Sequence, residues 1–398
     1  MDSSRLDIRS HQPLKALWFL ITLVHLFIKA IFYCVYYISP STRPVPEWTY
    51  RQSLTTSLLR TTLHHITTLR YLPSLSLLPG NEADRFHLVP PSRRPNLYTG
   101  ALSSQASITP QTIGGTFYPT TPPSPSTFPA TAPSCCISTA ALSYLARAAY
   151  LNYRLARKES GYFPAALQDA VTSYVWLVDV MGFEARKIII SGDGAGRALA
   201  LGLVRWLGQQ RVGLQSPLRC LLWNPQLDLA GQMGEIVDVR IRSGDSKAAY
   251  LEVRMLKWAS ELYLGPRSQQ SGRDLGRDEL AKSQYVSPSR HPFATSIAIW
   301  IMVGKAEMLQ NTIMAFAEVM SSVRGNTVGS FEIGGAPHNI FMMGERLGWK
   351  EQAEDAAREA GTWLRKKGWA GAGRGATTVG GRTMEDEESE RSGDVLFE

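Results

Sequence analysis

The chain reads as an α/β protein built on a mostly parallel central sheet flanked by helices, with an N-terminal membrane helix. Three observations predict this. From Ala140 onward apolar strand-like runs alternate with helical patterns, as parallel strands joined by crossover helices require. The stretch "IIISGDGAGRAL", Ile188 to Leu199, passes from a β-branched run through closely spaced glycines into an apolar helix. Near the N-terminus, Ala16 to Ile38 is apolar apart from Thr22, His25 and Lys29.

At 398 residues, with 44% hydrophobic and 19% charged side chains, the chain has material for one large core plus appendages. The formal charge of +8 is scattered, and the C-terminal run "EDEESE" is acidic. No nucleic-acid-reading module is evident, so an anionic membrane surface is the better match for the positive charge. Cys34, Cys135, Cys136 and Cys220 have no metal spacing and imply no disulfide framework. No metal is expected.

The Ala16–Ile38 run is long enough to cross a bilayer at about 1.5 Å per residue, and Trp18, Tyr33, Tyr36 and Tyr37 are interfacial residue types. We expect a membrane anchor over 1–45, single-pass or, as the alternative, lying on the membrane because of Lys29; a cleaved signal peptide fits less well for want of a small-residue cleavage site. Basic residues flank both ends, so charge does not set the orientation. A juxtamembrane helical linker is expected over 46–80, with His64 and His65 on a solvated face. The main domain is expected over 81–368. Within it "TTPPSPSTFPATAPS" reads as a disordered loop over 119–134, and a disordered tail is expected over 369–398.

Inside the domain the pattern runs in order: strand "AYLNYRL", helix "AALQDAVTSYVWLVDVMG", strand "KIIIS", helix "GRALALGLVRWLGQQ" and strand "CLLWNPQLDL". Strand "AIWIMVG", helix "NTIMAFAEVMSSV", strand "VGSFEIG" and a closing amphipathic helix "EQAEDAAREAGTWLRKK" follow. Arg154 and Asp169 are expected to form a structural pair, and "YVWLVDVM" to be core.

The run from "YRLA" through "FPAALQDA", "KIIISGDGAG", "WNPQLDL", "YVSP", "GKAEML" and "GGAPHNIF" resembles the hormone-sensitive-lipase-like, fold-3 branch of the α/β hydrolases, over about Phe86 to Leu364. The resemblance implies an α/β-hydrolase fold, serine carboxylic-ester chemistry on lipid or ester-like small molecules, and no cofactor. Gly192, Asp193, Gly194, Ala195 and Gly196 then form the nucleophile elbow, with Glu307 as the acid and His338 as the base.

Two departures stand out. Gly194 lies where the family has its serine, and Arg197 where it has a second elbow glycine. The His-Gly-Gly oxyanion motif is absent between Tyr118 and Ala140, and the family's third strand is expected to be missing with it. Loss of the nucleophile costs about a million-fold in turnover, and each oxyanion donor about a hundred- to thousand-fold. The expectation is therefore a hydrolase relative with its activity lost or severely impaired. The alternatives are a pseudoenzyme that binds a lipid-like ligand or a protein partner, and a chain that lacks a segment of an active esterase.

Overall fold

The computed structural model describes residues 13–71, 77–94, 96–105, 107–118, 135–138, 148–194, 196–210, 213–233, 248–266 and 275–366. Its eight strands are β1 (Phe86–Val89), β2 (Ile113–Tyr118), β3 (Cys135–Ser138), β4 (Ala148–Asn152), β5 (Ile188–Asp193), β6 (Arg219–Trp223), β7 (Ala298–Gly304) and β8 (Val328–Ile333). They form one sheet in the order β1-β2-β4-β3-β5-β6-β7-β8. β2 pairs antiparallel with β1 and β4, and the remaining pairs are parallel.

The central strands are apolar on both faces, as a sheet covered on both sides demands. Side chains alternate between two cores. Ile188, Ile190, Cys220, Leu222, Ile299, Ile301 and Val303 pack on one side with α3 (Ala165–Asp179), α4 (Gly196–Gln209) and α8 (Gln310–Ser322). Ile189, Leu221, Trp223, Trp300 and Met302 face the other way, onto α9 (Ile340–Leu347) and α10 (Lys350–Arg365). There Trp223 stacks on Phe341 at 3.7 Å. Tyr174, Val175, Trp176 and Leu177 are core as expected, but the second half of the run is not, since α3 ends there and Val180 is 69% exposed; Arg154 binds Asp169 at 2.8 Å. Shorter helices α5 (Leu229–Met233), α6 (Val253–Leu264) and α7 (Leu275–Lys282) lie between β6 and β7 in the chain.

The expected loss of the third strand is corrected. β3 is present between β4 and β5, pairing Ile137 with Ala149 and Cys135 with Ile188. It escapes a pattern reading because four residues, "CCIS", follow a Pro/Ser/Thr run and show neither the length nor the alternation of a strand. Its place is set by β4 and β5, whose facing backbone groups would otherwise be buried without partners. The expected disordered loop 119–134 and tail 369–398 lie outside the described residues, as does the segment directly after β3.

At the N-terminus, α1 (Leu14–Tyr36) and α2 (Tyr50–Leu69) form an antiparallel hairpin. α1 is long and apolar enough to cross a membrane by length and composition. α2 starts with a capping box, in which Thr49 and Gln52 each bind the other's backbone N–H. His65 is not on a solvated face. It is buried in the hairpin, where its Nδ1 lies 3.2 Å from the Thr22 hydroxyl and its Nε2 lies 2.8 Å from Nδ1 of His25. It found this place because α1 covers the side of α2 that a lone helix would turn to water.

The hairpin joins the domain through Trp48, which is 2% exposed, stands edge-on to Trp349 at 5.4 Å and donates from Nε1 to the Gly335 carbonyl at 2.7 Å. Trp48→Ala is expected to destabilise the detergent-solubilised protein by about 3–5 kcal/mol in urea unfolding, as deletion of a large buried aromatic does. A change near zero would mean that the root of the hairpin is not packed on the domain.

Candidate active site

The elbow follows from local sterics. β5 ends at Asp193, Gly194 turns the chain at φ +52°, and α4 begins at Gly196. A Cβ on Gly192 would stand 2.5 Å from the Gly196 carbonyl oxygen and 2.8 Å from Cα of Arg197, so only glycine lets strand and helix approach this closely. Ala195 lies outside the described residues. Glu307 follows β7 and His338 follows β8, so the adjacent parallel strands present both at their carboxyl ends, beside the elbow.

The structure brings Glu307 and His338 together as the sequence suggested. Nδ1 of His338 lies 2.5 Å from Oε1 of Glu307, whose second oxygen accepts from the Asn224 side-chain amide. The Tyr250 hydroxyl donates to the His338 carbonyl at 2.6 Å and fixes its loop. Asn224 and Tyr250 carry no sequence signal of this role; only the meeting of β6, β7 and β8 ends reveals it.

Among the described residues the opposite nitrogen, His338 Nε2, faces no hydroxyl. Nη2 of Arg197 lies 3.2 Å from it, and a Cβ built on Gly194 would stand 3.4 Å from the same nitrogen. Since a guanidinium only donates, Nε2 accepts, which puts the imidazole proton on Nδ1 toward Glu307. Arg197 is 0% exposed, and its Nε and Nη1 have no hydrogen-bond partner among the described residues. In the sequence it is only an oddity after the elbow; in the fold it is the centre of the site.

The electrostatics are those of a buried ion cluster. Burial lowers the Arg197 pKa to about 10, against the pull of Asp193 and Glu307, and the group remains a cation at neutral pH. Burial raises Asp193, with Arg197, His338 and a hydrogen bond to Asn339 opposing it. Burial also opposes the charge on Glu307, but His338, Arg197 and Asn224 together hold its carboxyl below the usual range. His338 is lowered, first by burial and further by Arg197 although Glu307 acts the other way, so its imidazole is neutral at neutral pH. Among the described residues no group of three His, Cys, Asp or Glu is placed to hold a metal. A cleft of about 560 Å³ opens at the end of β4, lined by Asn152, Tyr153, Arg154, Arg157 and Lys158. Tyr153 is close enough to Asp193 and Arg197 to feel both charges.

Arg197→Met is expected to destabilise the fold by about 3–5 kcal/mol at pH 7, because it leaves buried carboxylates without their cation. The sign with pH follows from linkage. Without the cation, the folded-state pKa of Asp193 rises further above its unfolded value, so the folded variant takes up a proton that the unfolded chain does not. The deficit relative to the unsubstituted protein should therefore shrink as pH falls from 7 to 5 in paired urea titrations. A deficit that is constant or grows would refute this assignment of charge.

Comparisons with known proteins agree with the geometry. The family described as alpha/beta hydrolase fold matches residues 126–342. An esterase from the bacterial hormone-sensitive lipase family is similar at 16% identity and TM-score 0.53, over 80% of this chain and 99% of that one. The hyperthermophilic esterase from the archaeon Pyrobaculum calidifontis is similar at 15% identity and TM-score 0.51, over 79% of this chain and 93% of that one. A search of curated proteins finds no match. With the elbow, the strand order and a family match over more than half its length, the chain belongs to the alpha/beta hydrolase fold family.

Proposed function

We propose that this esterase- and lipase-like fold no longer hydrolyses esters and serves instead as a binding module for ester- or lipid-like molecules. One observation carries the reading: Gly194 supplies no hydroxyl, and the Arg197 guanidinium engages the histidine nitrogen that a nucleophile would need. Acyl-enzyme chemistry requires a base free to take the hydroxyl proton. Here that lone pair accepts from a buried cation that feels the charges of Asp193 and Glu307. Water activation by the Glu307–His338 pair meets the same obstacle, since Nε2 is occupied. The cleft beside Tyr153 offers the space for a bound molecule, and the presence of β3 weighs against a chain that has lost a piece of its sheet.

Short-chain p-nitrophenyl esters test the loss of activity. The purified protein should show no turnover above that of His338→Ala; turnover abolished by His338→Ala or Glu307→Gln would overturn the reading. Gly194→Ser alone should stay unlabelled by a fluorophosphonate probe, whereas Gly194→Ser combined with Arg197→Gly should be labelled at residue 194, because Nε2 is then free. Labelling of the single variant would show that Arg197 does not block the base. The binding role is checked by equilibrium dialysis with ethyl dodecanoate. Saturable uptake, with the ester recovered intact, is expected, and the absence of saturable uptake would remove this role.

A further inference from the structure

We propose that α1 docks in the plane of one membrane leaflet, as a lipid-facing paddle backed by α2, and does not cross the bilayer. The inference is independent of the fate of the catalytic site. It starts from where the polar side chains of α1 lie. Trp18, Thr22, His25, Lys29, Tyr33 and Tyr37 recur every three or four residues and form one stripe. Of that stripe Thr22 and Tyr37 are buried, and it runs along α2: Tyr37 pairs with Ser57 at 2.8 Å, and Thr22 and His25 both reach His65. The Tyr50 hydroxyl also donates to the Cys34 carbonyl at 3.0 Å. Lys29 therefore does not interrupt the lipid-facing surface. The outward stripe is apolar throughout, with Leu17, Val24, Ile31 and Ile38 at 54%, 59%, 54% and 68% exposed.

The second step is the attachment of α2. Arg51 donates to the Glu345 carbonyl, Gln52 to that of Gly348 and Thr55 to that of Leu347, while His64 and Arg60 meet Glu252 at 2.9 and 3.6 Å. α2 is thus fixed to the domain along its length and lies against α1 from Tyr37 back to Thr22, about 22 Å of helix. The hydrocarbon core is about 30 Å thick. A crossing α1 would draw Arg51, Arg60, Glu252 and the adjoining domain surface to membrane depth, where charges and irregular backbone are not tolerated. In-plane docking immerses only the outward stripe, by about 5–10 Å. Charge complements this arrangement. Lys15, Arg43, Arg51, Arg60 and Arg70 accompany the hairpin, and between residues 10 and 80 the sole acid is Glu47, which suits an anionic leaflet.

The occupant is thus a lipid surface, and the same hairpin bears on the site. Trp48 at its root donates to Gly335, three residues before His338, and α2 holds Glu252, two residues after the Tyr250 that anchors His338.

Depth measurements on the full-length chain, reconstituted in phosphatidylcholine–phosphatidylserine vesicles, decide the matter. Reporters at Leu17→Cys, Val24→Cys and Ile31→Cys, each in a Cys34→Ser background and corrected for labelling of that background alone, should lie at one shallow depth. A crossing helix would separate successive positions by about 10 Å in depth, and that result would overturn the proposal. Tags at both termini should be cleaved by protease added outside the vesicles; a protected N-terminal tag would also overturn it. So would failure to bind vesicles, or cross-linking that finds the stripe covered by a second copy of the chain.

Discussion

Everything in the domain hangs on a sheet that is apolar on both faces. β5, β6 and β7 place isoleucine, leucine, tryptophan and methionine alternately up and down, so neither face tolerates water and each needs a layer of helices. Once both layers are in place, the carboxyl ends of the strands are the one rim where loops of any composition can gather. Asp193, Asn224, Glu307 and His338 all come from that rim.

What has assembled there is a buried cluster of Asp193, Arg197, Glu307 and His338. The acid and the imidazole keep the mutual geometry of a base and its orienting carboxylate, yet the apex lacks a nucleophile and a guanidinium takes up the lone pair. A buried cation among two buried carboxylates is costly to desolvate and is retained only where all partners are held in place. Asn224, Asn339 and Tyr250 do that holding. The cluster ties the ends of β5, β6, β7 and β8 to one another.

The N-terminal hairpin ties this rim to the exterior. Trp48 and α2 press on the segments that carry His338 and Tyr250, while α1 turns an unbroken apolar stripe outward.

Pattern alone was enough for much of this. Alternation and glycine spacing determined the parallel sheet and the sharp turn at Gly192–Gly196, because each depends on local periodicity or on a motif with one steric solution; Glu307 and His338 were placed only by the resemblance to the hydrolase family, and their meeting is decided by the adjacent ends of β7 and β8. β3 was illegible because a four-residue strand has no period to detect; its neighbours' unpaired backbone groups decide that it exists. His65 was misread as solvated because its burial depends on a helix more than forty residues away. Arg197 shows the division most sharply. Its charge is written in the chain, but that it lies fully buried against Nε2 of His338 depends on α4 packing beneath the loop after β8, a juxtaposition of residues 141 positions apart that no local pattern encodes.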